Sequence, residues 1–83
     1  MWNEKLYDDF EDEIEDAEKY AEMSLSCKMN GDMNGAYGFW EMAKDEYTHA
    51  RFIRDRMIEE GVYHPEHNPE KEKRYHKVES MFS

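Results

Sequence analysis

Apolar and small residues return every three or four positions along the first third of the chain, at Leu6, Phe10, Ile14, Ala17, Ala21 and Leu25. Steps of that size trace one stripe on a helix, so the pattern predicts an amphipathic helix from about Asn3 to Met29. No glycine or proline interrupts it before Asn30-Gly31, where glycine is free to take the left-handed conformation that ends helices. Asp32-Met33-Asn34-Gly35 reads as a turn whose Asp or Asn caps the next helix. A second stripe, Phe39, Ala43, Glu46, Ala50, Ile53 and Met57, predicts a helix from about Gly35 to Glu60, flanked by Trp40, Tyr47 and Phe52 and stopped by Gly61. Two such helices with so short a connection fold into an antiparallel hairpin. His64-Pro65-Glu66-His67-Asn68-Pro69 is a breaker-rich linker. Beyond it, Val78, Met81 and Phe82 are the only clear aliphatic or phenylalanine anchors, which predicts a short third helix or a docking or fraying tail. The expected organisation is all-α, with a hairpin over residues 1–61 and a linker plus tail or short helix over residues 62–83.

Composition changes this picture in one respect. Leu, Ile, Val and Phe supply only 11 of the 83 residues, so the hairpin alone has a thin core. The 12 aromatic residues and 7 methionines compensate in part, and a partner that finishes the core is expected. A single cysteine, Cys27, excludes an internal disulfide framework and a four-cysteine metal site within one chain. It reads as a small buried residue. The net charge of −10, with no basic stripe, argues against nucleic acid as a partner. No apolar run is long enough for a membrane span, and Met1-Trp2-Asn3-Glu4-Lys5 does not start a signal peptide. These features predict a cytoplasmic protein without a membrane partner.

One position breaks the amphipathic logic. Glu46 lies in the apolar stripe of the second helix, seven residues after Phe39 and seven before Ile53. A carboxylate facing a bundle interior is costly unless it is paired or holds a metal. His49 follows at i+3 on nearly the same face, so Glu46-Tyr47-Thr48-His49 offers one oxygen and one nitrogen beside the helix. That donor pair suits iron, manganese or zinc. On the first helix, Glu13 abuts the stripe between Phe10 and Ala17, and Tyr20 lies two turns further along the same side. Glu13, Glu46 and His49 make half a site. Di-iron carboxylate bundles use one Glu from each of two helices and a Glu-x-x-His from each of two others, an inventory that two copies of this hairpin supply. The same dimer completes the core.

The segments Glu13-Ile14-Glu15-Asp16-Ala17-Glu18-Lys19-Tyr20 and Ala43-Lys44-Asp45-Glu46-Tyr47-Thr48-His49-Ala50 resemble the ferritin-like and rubrerythrin-like superfamily. Within it the chain is most similar to the encapsulated ferritins, two-helix members of half length. The resemblance covers about Leu6 to Glu60. It implies a four-helix bundle built from two hairpins, with iron ligands at Glu13, Glu46 and His49 and a supporting catalytic tyrosine at Tyr20. It also implies that Asp12 and Glu15 hold metal on its way in. The implied activity is ferroxidase: two Fe(II) ions, with manganese or zinc as substitutes, give electrons to dioxygen or hydrogen peroxide. The implied partners are a second copy, a higher ring of dimers and an encapsulin shell, and the implied location is a nanocompartment of that shell. Two departures are visible. Lys19 stands where the family carries an aromatic, and Lys77 to Ser83 does not match the peptide that docks such cargo.

Other readings of the same residues remain open. The same ligands would serve a rubrerythrin-like peroxide-scavenging protein, although the chain has no Cys-x-x-Cys unit. Alternatively the acids are a solvated face, His49 is a satisfied interface histidine, Tyr20 is core, and the chain is a non-catalytic acidic helical adaptor. Asp32-x-Asn34-Gly35 lacks the distal Glu of a calcium loop and reads as a turn. His64 and His67, close to Glu66, form a separate, exposed metal-catching candidate.

Overall fold

The computed structural model describes residues 2–82, with side chains from Glu4 onward; Met1 and Ser83, the outer bounds of the two predicted units, lie outside the described residues. Helix α1 spans Trp2–Met29, α2 spans Met33–Glu59, a single 3-10 turn covers Pro65–His67, and α3 runs over Pro69–Phe82. There is no strand among the described residues, and no described helix is long and apolar enough to cross a membrane.

The hairpin turn is built from local hydrogen bonds. At the end of α1, Asp32 N–H donates to Cys27 O (2.8 Å) and Gly31 N–H to Lys28 O (3.1 Å), with Gly31 at φ 79°. This pairing satisfies the last carbonyls of the helix and requires the left-handed conformation that glycine adopts without a Cβ penalty. Asp32 then acts a second time, accepting from Gly35 N–H at 2.9 Å as the N-cap of α2. The turn is therefore shorter than the sequence pattern predicts, and Met33 to Gly35 already belong to α2. A Cβ at Gly35 would run into the Asp32 carboxylate, so the cap depends on glycine there. The end of α2 repeats the α1 motif: Val62 N–H donates to Met57 O, Gly61 N–H donates to Ile58 O, and Gly61 sits at φ 72°.

The two long helices meet through small residues. Ala17, Ala43 and Ala50 are fully buried, and the Ser24 hydroxyl donates to Ala36 O across the seam at 2.6 Å. Small side chains let the backbones approach and fix the antiparallel register. The buried line on α1 continues from Ala17 to Ser24, whereas Leu25, expected in the stripe, is 58% exposed. On α2 the buried line is Ala36, Ala43, Tyr47, Ala50 and Met57, so Tyr47 lies in it and Glu46 on its shoulder. Phe52 points outward.

The third element is a docked helix, not a fraying tail. Tyr75 and Val78 are buried against the hairpin, joined by Phe10, Ile14, Tyr47 and Met57. Tyr75 packs on Phe10 and on Tyr47, with ring centres 6.0 Å apart in each case, and Phe82 lies against Trp40 and Tyr47. Tyr63, from the connection, closes the base between Tyr7 and Phe10. Polar contacts fasten α3 as well. Arg54 donates through Nε and Nη2 to the two oxygens of Glu72 (2.9 and 2.6 Å), and Tyr63 donates its hydroxyl to Glu72 at 2.6 Å. Helix α3 therefore covers one side of the α1–α2 seam and leaves the other side uncovered.

Candidate metal centre

The uncovered side carries the predicted ligands. Glu46 and Tyr47 are successive residues about 100° apart around α2. Tyr47 takes the direction of α3 and the core, so Glu46 lies about a quarter-turn round α2 from that direction, on the flank it shares with Phe39 seven residues earlier. His49 stands one turn along from Glu46, and the antiparallel register brings Glu13 across from both. His49 Nδ1 lies 3.4 Å from Glu13 Oε2 and 4.0 Å from Glu46 Oε1. One ligand atom from each of the three residues falls within 4.8 Å of the other two. Both carboxylates are about three-quarters screened from solvent by the hairpin, while the imidazole is more than half exposed.

The electrostatics of this group are unbalanced. Glu13 Oε2 is shut off from solvent and receives no hydrogen bond. The imidazole is within ion-pair range of it but does not complete a hydrogen bond. Glu46 is pushed up to about 7, first by a hydrogen bond with the Glu13 carboxyl, then by burial and by the negative charge of Glu13. Asp16 pushes in the same direction and His49 opposes. Two acids held this close oppose each other's ionisation unless a cation neutralises the pair. Two hard oxygens and one imidazole nitrogen therefore converge where positive charge is favoured, which is the donor chemistry of iron, manganese or zinc.

The other predicted residues are distributed unevenly around this point. Tyr20 is two turns from Glu13, roughly 10 Å along the helix axis. Its ring stacks on Phe39 with centres 6.2 Å apart, and Lys19 Nζ sits 4.8 Å from the ring centre. Tyr20 thus belongs to the same face as the three ligands, next to them and not among them. Asp12 and Glu15 are exposed. Glu15 lies about 200° around α1 from Glu13, on the side where Glu11, Glu15 and Glu18 surround Arg74 of α3. Asp16, one turn from Glu13, is the acid that the sequence reading passed over. It is half-buried and acts on Glu46, and its i+3 spacing from Glu13 was the available signal.

Along α2 the ligands are flanked by apolar side chains. Ile53 and Phe39 are half-buried, Met42 is 41% exposed, and a shallow depression lined by Gly35, Gly38, Phe39 and Met42 continues toward the hairpin tip. No protein-family model, curated protein or solved structure matches this chain.

Proposed function

We propose that the chain is half of a ferritin-like four-helix bundle. Two copies pair through the face opposite α3, and their combined Glu13, Glu46 and His49 bind a pair of ferrous ions and oxidise them. The observation that carries this reading is the convergence of the three side chains on the one hairpin face that α3 leaves uncovered, with a solvent-screened carboxylate oxygen that nothing in the chain satisfies. Apolar neighbours on both sides of the group give a second copy a surface to bury, and pairing removes the thin-core problem of a lone hairpin. The resemblance of the two ligand segments to encapsulated ferritins supplies the chemistry: bound Fe(II) gives electrons to dioxygen or peroxide.

The residues have distinct parts in this scheme. Glu13 and Glu46 offer hard oxygens, which favour iron over softer ions, and His49 adds a nitrogen that holds the ferrous state. Metal takes Glu46 in its ionised form, so loading at or below neutral pH releases protons into solution. The exposure of His49 leaves small oxidants an approach to the ligand group from the solvent side.

The decisive experiment is metal content per chain together with oligomer mass by sedimentation, with and without chelator. The expected result is a dimer or ring of dimers that retains transition metal in proportion to its chains. His49→Ala or Glu46→Ala should weaken both association and Fe(II) oxidation. A monomer that retains no metal and is indifferent to Glu46→Ala would leave the acidic helical adaptor as the reading. Faster stopped-flow turnover with peroxide than with dioxygen would assign the same ligands to peroxide scavenging.

A further inference from the structure

We propose that His64 and His67 form a second metal site, a two-nitrogen chelate for a divalent ion of the zinc, copper or nickel type, separate from the centre on the uncovered hairpin face. The local backbone dictates the pairing. Pro65–His67 is a 3-10 turn with His64 as its N-cap. His64 caps the turn in an extended conformation and its carbonyl accepts from His67 N–H, which brings the two residues together across one turn with their rings tilted 50° to each other. Their ring centres are 5.5 Å apart. A tetrahedral ion held at about 2.0–2.1 Å by one nitrogen of each ring places the ring centres roughly 5 Å apart, so little movement is needed. Glu66 Oε1 lies 3.8 Å from His64 Nδ1 and adds negative charge on the His64 side, and water would complete the coordination shell.

The turn is held in place before any ion arrives. His67 N–H donates to His64 O at 2.9 Å, and the Asn68 side-chain amide donates to the same carbonyl at 2.8 Å. Tyr7 donates its hydroxyl to Asn68 Oδ1 at 3.3 Å, and the preceding Tyr63 is buried and bonded to Glu72. Prolines at 65 and 69 restrict the backbone on either side. Folding thus already orders the backbone that carries the two ligands, which lowers the cost of closing a short chelate. Nitrogen donors select differently from the carboxylate-rich group: two imidazoles favour zinc, nickel and above all copper(II) over iron(II) or manganese(II).

The test is a Zn(II) titration of the full chain, followed through its four histidine ring resonances, in the wild type and in His64→Gln and His67→Gln. Both rings are exposed, so neither substitution disturbs the core. The expected result is that His64 and His67 shift together with one dissociation constant. Each single variant should raise the constant read at the remaining ring about tenfold, the loss of a linked second ligand. His49 reports the hairpin site independently, so failure of either site is read separately. A His67 titration that is unchanged in His64→Gln would mean two independent rings and would overturn the chelate.

Discussion

Glu72 and Glu46 are two screened carboxylates of one small protein, with side-chain exposures of 11% and 23%, and they are held in opposite states. Glu72 is held down to about 2, first by its hydrogen bonds with Arg54 and, against the opposing pull of burial, by the hydroxyl of Tyr63. Glu46 is pushed up to about 7 because the group that meets it is another acid, Glu13. Desolvation raises both, so burial does not distinguish them. The partner does. Beneath α3, each carboxylate oxygen of Glu72 finds a donor within the chain, and the network locks the third helix to α2. On the other face the acids face each other, and Glu13 Oε2 receives nothing. The first arrangement is complete as architecture, and the second leaves one acid set against another.

The largest effect should come from breaking the complete side. Arg54→Ala leaves the Glu72 carboxylate screened and without its fork, a change that costs about 3–5 kcal/mol when a buried pair is broken. That is comparable with the whole stability of a small domain, so the variant should melt near or below room temperature. Glu46→Ala on the other face should do the reverse in metal-free protein, leaving stability unchanged or raised, because it removes a like-charged neighbour of Glu13. Urea unfolding of the two variants under chelator decides the matter. Equal destabilisation would mean that the two carboxylates are not different in kind.

Much of this division was legible in the chain and part of it was not. The hairpin was, because its stripes have helical spacing and Gly31 and Gly61 fall where α1 and α2 stop. So was the facing of Glu13 by Glu46 and His49, because an acid within an apolar stripe with histidine at i+3 turns toward the neighbouring helix, on which Glu13 abuts its own stripe. Helix α3 was harder to see. Its strongest anchors are Tyr75 and Glu72, and neither looks apolar. They become core only through Phe10 and Tyr47 on one hand and Arg54 and Tyr63 on the other, contacts between residues far apart in sequence. The position of Glu46 on the shoulder of its stripe, with Tyr47 taking the centre, follows from the same cause, since α3 draws the tyrosine toward itself. The proposed pairing with a second copy is a property of two chains and is not written in the contacts of one.

A pH series sharpens the same contrast at somewhat smaller amplitude. The folded value of Glu72 lies below the ordinary carboxylate value of 4.5, so its stabilisation is fully present above about 4.5 and is lost as pH falls through about 2. The difference corresponds to roughly 3 kcal/mol. Glu46 has the opposite sign. Its folded value is raised, so the stability it contributes is present below about 4.5 and declines as pH rises through about 7. Metal-free wild type should therefore lose stability between those two values, and Glu46→Gln should flatten that decline while leaving the acid limb intact. Glu72→Gln should remove the acid limb instead. Parallel curves for wild type and Glu46→Gln in urea melts would remove the basis for treating the pair as coupled.

The smallest expected effect isolates burial from contact distance. Arg74 Nη2 meets Glu18 Oε1 at 2.5 Å, which is as close as the 2.6 Å of Arg54 to Glu72. The chemistry is the same, and both pairs tie α3 to the hairpin. They differ in exposure: Arg74 and Glu18 are 47% and 25% exposed, against 16% and 11% for the inner pair. Water solvates the outer ions in the unfolded and folded chain alike, and two long side chains lose freedom in forming the contact. A pair of that kind contributes about 0.2–1 kcal/mol, and salt screens it. Arg74→Ala should thus lower the urea midpoint slightly, with the difference fading at high ionic strength, whereas the Arg54→Ala deficit should persist in salt. If the two substitutions cost the same, distance rather than desolvation would govern how α3 is held. The contrast between the covered and uncovered faces would then need another physical cause.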